Sequence, residues 1–127
     1  IRDYLPEEAA LERLEAQYAG RANRIERLLK DGYPAYTTSA GWIGYSDAEI
    51  VRKLKAAHAE GWRHFKIKVG GDLRQDVERC ALFRDTLGGD VRLSVDANQV
   101  WDVADAVAAS KAMAPYDIYW IEAAWLA

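Results

Sequence analysis

A repeated change of hydrophobic period constrains this chain more than any other feature. Short runs of β-forming residues alternate with stretches whose apolar residues recur at helical spacing. The unit returns about every 26 to 29 residues, from Lys68 to Asp96 and from Asp96 to Glu122. Such alternation predicts βα units and a parallel sheet, an α/β fold. Four strands are expected, at residues 36–39, 65–69, 91–96 and 118–122. Three helices separate them. Ser46 and Glu49 stand as a capping box ahead of Ile50, Leu54 and Ala57, and Gly61 is the stop. Asp72 caps a second helix whose expected apolar face is Leu73, Val77, Cys80, Ala81 and Leu87, ended by Gly88-Gly89. The third runs from about residue 103 to 114, where Pro115 halts it. Three crossover helices cannot cover both faces of a four-stranded parallel sheet, so surface that wants burial remains.

Residues 1–32 read as a helical hairpin ahead of this pattern. Pro6 suits the first helical position, Glu7 and Glu8 favour the positive helix start, and Leu11, Leu14 and Tyr18 recur until Gly20. A second helix from about residue 21 to 30 carries Ile25, Leu28 and Leu29 and stops at Asp31-Gly32. Half of the 127 residues are hydrophobic and 29% are charged, so a core is expected. The net charge of −3 is mixed along the chain, which excludes a basic nucleic-acid-binding tail. No apolar run approaches a membrane span, the single Cys80 forms no internal disulfide, and no leader pattern opens the chain, so a cytoplasmic protein is expected.

Chemistry concentrates where the strands end. Lys66 and Lys68 lie on one face of their strand, because side chains alternate with period two. One ammonium beside another lowers its pKa, so a lysine of such a pair can accept a proton. The tripeptide alone reads more simply as an exposed strand face, and neighbouring Arg63 and His64 suit that polar surface. Asp96 follows an apolar strand and precedes a helix, the place where parallel sheets put their ligands. A helix cap or an Asx-turn accounts for it equally well. Glu122 holds the equivalent place on the next strand. Neighbouring strands lie about 4.8 Å apart, so two acids at successive strand ends can share one cation.

Lys66-Ile67-Lys68, Asp96-Ala97-Asn98-Gln99 and Trp120-Ile121-Glu122 together resemble strands two, three and four of the enolase superfamily barrel, and more narrowly its mandelate racemase subgroup. Residues 32–39 and 41–47 further resemble the L-fuconate dehydratases. The resemblance implies a (βα) barrel domain in which Asp96 and Glu122 are the first two ligands of Mg²⁺, or of another divalent cation such as Mn²⁺ or Zn²⁺. It makes Lys68 the base that abstracts the proton next to a carboxylate and Lys66 its modulator, with Trp42 and Asn98 as substrate-binding candidates for a small anionic substrate. The family also carries a third acidic ligand, a His-Asp pair on later strands and a capping domain, and it continues with a Glu-Pro step where this chain reads Ala123-Ala124-Trp125-Leu126-Ala127.

The expectation is therefore a truncated barrel fragment. It comprises a helical hairpin over residues 1–32 and a half-barrel of about four βα units over 33–127, completed by self-association. Two copies would supply eight strands, and a twofold dimer would bury Trp125 and the apolar tail. Three functions stand side by side: a sugar-acid dehydratase or racemase, a metal-assisted hydrolase of an activated ester or phosphoester, and an inactive self-associating fragment. Neither nucleic acid nor membrane is expected as a partner. His58 reads as a surface or packing residue and Cys80 as a small buried hydrophobe, while Trp42 in its glycine-rich loop can also mark a contact surface.

Overall fold

The computed structural model describes residues 4–122, which fall into two compact units divided after Pro34. In the first unit, helix α1 (Glu7–Ala16) leads through a 3₁₀ turn (Tyr18–Gly20) into α2 (Arg21–Asp31). Pro6 is the residue before α1, not its first, and its carbonyl accepts the Ala10 N–H at 3.0 Å. Gly32 ends α2 with φ 73°, and its N–H closes on Leu28 O. Both helices stand where their periodicity puts them. Neither buries a residue, and Leu11, Leu14, Ile25, Leu28 and Leu29 all remain exposed.

The second unit contains β1 (His64–Lys68), β2 (Arg92–Asp96) and β3 (Ile118–Glu122), paired in that order and all parallel. Helices α3 (Asp47–Ala59), α4 (Leu73–Leu87) and α5 (Val103–Met113) alternate with them. Each helix starts on a side-chain cap: Ser46 accepts from Glu49 N, Asp72 from Gln75 N and Asp102 from Asp105 N. Pro115 falls in a 3₁₀ turn (Ala114–Tyr116) just past α5. Among the described residues no helix is long and apolar enough to cross a membrane.

The expected first strand at residues 36–39 is not formed. It is reduced to one parallel bridge at Thr37, which exchanges bonds with His64 O and Lys66 N. The cause is local. Thr37 Oγ1 accepts Ser39 N–H at 3.3 Å and lies 2.9 Å from Ser39 Oγ, and this side-chain turn competes with the ladder. The segment returns to β1 at Gly41, whose carbonyl accepts Lys68 N–H at 2.8 Å. A Cβ on Gly41 would stand 2.5 Å from Ile67 Cα, so only glycine allows this approach. The described sheet thus has three strands, and two copies bring six, short of the eight that the dimer arithmetic assumed.

The core lies between one sheet face and the helices. Phe65 and Ile67 of β1 and Leu93 and Val95 of β2 pack with Ile50, Leu54, Cys80, Phe83, Ala109 and Met113. Phe65 meets Phe83 edge-on at 5.6 Å between centroids. The buried stripe of α4 differs from the expected one: Asp76, Cys80 and Phe83 are buried, Leu73 is exposed, and Val77, Ala81 and Leu87 are only partly covered. Asp76 tolerates burial because it accepts the Gly70 N–H at 2.8 Å. Where β2 and β3 begin, Arg84 donates to four carbonyls, Tyr116 and Val91 at 2.8 Å, Asp117 at 2.9 Å and Gly88 at 3.0 Å.

Candidate functional site

The opposite sheet face carries the charge. With the odd positions of β1 in the core, Lys66 and Lys68 lie on the other side. Register then aligns the strand ends, since Lys68 pairs with Asp96 and Asp96 with Glu122. Lys66 Nζ lies 3.0 Å from Asp96 Oδ2 and 2.8 Å from Glu122 Oε2, while Lys68 Nζ reaches Asp96 Oδ2 at 2.7 Å and Asn98 Oδ1 at 2.8 Å. The side chains of Lys66 and Asp96 are 7% and 5% exposed, Lys68 is 21% and Glu122 42% exposed. The exposed-face reading of the tripeptide therefore does not hold for Lys66.

Asp96 divides its labour between its two oxygens. Oδ2 faces both lysines, whereas Oδ1 accepts Asn98 N–H at 3.0 Å, forming the Asx-turn that the sequence offered as an alternative to a ligand. The turn holds Asn98 and Gln99 in the left-handed region, at φ 52° and 63°. Two consecutive non-glycine residues there are costly unless their surroundings fix them. Asn98 thereby brings its side-chain oxygen onto Lys68.

Burial pulls the Asp96 carboxyl upward, but the hydrogen bonds from Lys68 and Asn98 N and the charge of Lys66 outweigh it, and it titrates below the usual carboxylate range. Burial likewise works against the Lys66 ammonium. Its hydrogen bonds to Glu122, Asp96 and Tyr36 together prevail and hold it above the ordinary lysine value.

Sequence reasoning missed two members of this face. Tyr36, read as a β-former, donates to Glu122 Oε2 at 3.5 Å and carries Lys66 Nζ 5.0 Å from its ring centroid. His64, read as part of a polar approach, lies within 2.8 Å of Ser94 Oγ, with Trp120, Tyr119 and Tyr36 packed around its ring at 4.6 to 5.4 Å. Burial, and then the charge of Arg92, lowers its pKa. Only the even spacing of 64, 66 and 68 hinted that His64 shares the lysine face.

Trp42 stands apart. Its indole lies against Gly44, and its carbonyl and that of Ile43 are held by Arg79 at 3.3 and 3.2 Å. Among the described residues it shares no hydrogen bond or ring contact with the charged cluster. His58 is half-buried, Cys80 is buried in the core, and Trp125 lies outside the described residues.

The donor set suits a hard divalent cation. Two carboxylate oxygens converge on one positive charge, the Lys66 ammonium, and Mg²⁺ commonly takes one or two protein carboxylates while keeping several waters. No third acid, histidine or cysteine joins them among the described residues.

Comparison with known proteins shows the family. The chain is 48% identical over 122 residues to "Mitochondrial enolase superfamily member 1" of Xenopus laevis and 44% identical over 125 residues to "L-galactonate dehydratase" of Hypocrea jecorina, each alignment covering 96% of this chain. It spans only 27% and 28% of the length of those relatives. The solved structure of human mitochondrial enolase superfamily member 1 superposes with a TM-score of 0.89 at 44% identity, over 99% of this chain and 29% of that one. That of L-talarate dehydratase from Polaromonas sp. JS666, complexed with Mg and L-glucarate, gives 0.69 at 31% identity over 76% of this chain and 28% of the other. The model of the enolase C-terminal domain-like family, MR_MLE_C, matches residues 49–126, and the chain belongs to that family.

Proposed function

We propose that this chain carries the general base and the first two metal ligands of a Mg²⁺-dependent sugar-acid dehydratase or racemase, with L-fuconate as the substrate to test first. The row formed by Lys68, Asp96 and Glu122 at the carboxyl ends of three parallel strands carries this reading. A relative named for L-galactonate and a neighbour complexed with Mg and L-glucarate support the substrate class and the metal. Asp96 and Glu122 would hold the cation, which when bound supplies positive charge to the oxyanion formed as a proton leaves the carbon beside a carboxylate. Lys68, in its neutral amine form, takes that proton. Asn98 acts as a positioning residue, since its Oδ1 fixes the Lys68 amine, and Lys66 places a second positive charge on the same face. Trp42 is assigned to the substrate through the loop that begins at Gly41, the residue bonded to the Lys68 backbone. Self-association through the outer edge of β3 belongs to the same proposal, and sedimentation reads it directly.

The deciding experiment incubates the chain with L-fuconate and Mg²⁺ in D₂O and follows deuterium at the carbon beside the carboxylate. Exchange is expected, and Lys68→Ala should lower it a hundredfold or more. Exchange that survives this substitution refutes the assignment. Turnover of an activated phosphate ester without exchange favours a hydrolase instead.

A further inference from the structure

Lys66 occupies the point on which the two acids converge. Its Nζ lies 3.0 Å from Asp96 Oδ2 and 2.8 Å from Glu122 Oε2, and the Tyr36 hydroxyl accepts from it at 3.5 Å. The ammonium thus donates to Tyr36 and Glu122 and forms an ion pair with Asp96, all within this one cluster. Lys68 approaches the same Asp96 Oδ2 from its own side at 2.7 Å. Two ammonium groups face two carboxylates, so the cluster is electrically neutral as it stands.

A divalent cation taking Asp96 and Glu122 needs the oxygens that Lys66 already uses, and it needs them closer than an ammonium does. Two cations cannot share that point, because like charges in direct contact repel and the same oxygens cannot serve both. We infer that Lys66 is a built-in counter-ion that closes the acid pair and must leave it before a divalent cation enters, so that this lysine sets the metal affinity of the site. The inference rests on the proposed reading that Asp96 and Glu122 hold a cation. It differs from a modulating role for Lys66, in which the ammonium stays beside Lys68 while the cation is bound.

Apparent affinity falls in proportion to the fraction of molecules in which the acids are free. Two hydrogen bonds and an ion pair hold the closed state, and removing the ammonium should tighten binding about tenfold or more.

The test is calorimetric titration of Mg²⁺ into the full chain, into Lys66→Met and into the double variant Asp96→Ala, Glu122→Ala. Tighter binding to Lys66→Met by tenfold or more, with none to the double variant, is the expected result. Equal binding to the native chain and Lys66→Met, still abolished in the double variant, overturns the counter-ion while leaving the metal site intact. Binding that is absent throughout, or that persists in the double variant, removes the proposed metal site and this inference with it. Should Lys66→Met fail to fold, a Mg²⁺ titration of the native chain followed at the lysine side-chain resonances decides. Lys66 should move while exposed Lys55 on α3 stays still, and a motionless Lys66 at saturating metal overturns the idea.

Discussion

Adding one methyl group at Gly41 tests how the site is held together. A Cβ there would stand 2.5 Å from Ile67 Cα, 2.6 Å from its Cγ2 and 2.7 Å from its Cβ. Backbone and a branched side chain cannot swing aside, so the segment must lift by about 0.9 Å to reach an ordinary contact of 3.4 Å. Overpacking of this kind costs about 1–3 kcal/mol, and stretching the bond from Lys68 N–H to Gly41 O adds about 1 kcal/mol. Gly41→Ala should therefore destabilise the fold by about 2–4 kcal/mol, which moves the urea midpoint down by about 1–2 M. Equilibrium urea unfolding followed by circular dichroism measures it. Gly71→Ala is the control, because a Cβ at Gly71 meets nothing within 4 Å, and it should stay within about 0.5 kcal/mol of the native chain. Equal effects of the two substitutions would show that Gly41 is not pressed against β1.

Three further outcomes are expected. The double variant Asp96→Ala, Glu122→Ala should lose Mg²⁺ binding, and unchanged affinity in calorimetry would remove the proposed metal site. His64 titrates below its ordinary value in the folded chain, so the unfolded chain takes up its proton first as pH falls. Stability should begin to drop as pH falls through about 6.5, the unfolded value, and the slope should flatten in His64→Gln; parallel slopes in urea unfolding would contradict this. Burial pushes the Cys80 thiol up to about 12, so iodoacetamide at pH 8 should label it only at the rate of unfolding, and rapid labelling of native protein would show the core to be open.

The readable parts of the sequence were those set by neighbours along the chain. Ser46 and Asp72 cap their helices as expected, and Gly32 and Gly88 end theirs, because a cap needs only residues within one turn. The row of Lys68, Asp96 and Glu122 was also legible, since a constant βα period brings equivalent strand positions to the same end of the sheet. The segment at 36–39 failed because strand propensity alone does not reveal that Thr37 and Ser39 will bond each other. Along α4, periodicity favoured Leu73 over Asp76, yet the loop N–H of Gly70 gives the carboxylate a partner. Tyr36 shows the same limit: its contacts with Lys66 and Glu122 join residues 30 and 86 positions away, and no local pattern encodes them.

Arg84 carries a different kind of consequence. It ties the end of α4 to the beginnings of β2 and β3 through the carbonyls of Gly88, Val91, Tyr116 and Asp117, at the end of the sheet away from Lys68, Asp96 and Glu122. Every acceptor is a main-chain oxygen, so the clasp is indifferent to which side chains those four positions bear. Changes of side chain at Val91 and Tyr116 leave the attachments in place, whereas Gly88, at φ 76°, is held to glycine by its backbone, and a change at Arg84 itself strikes all four attachments together. One end of the sheet is thus held by a single residue, so the loops at the other end can change in sequence without disturbing it.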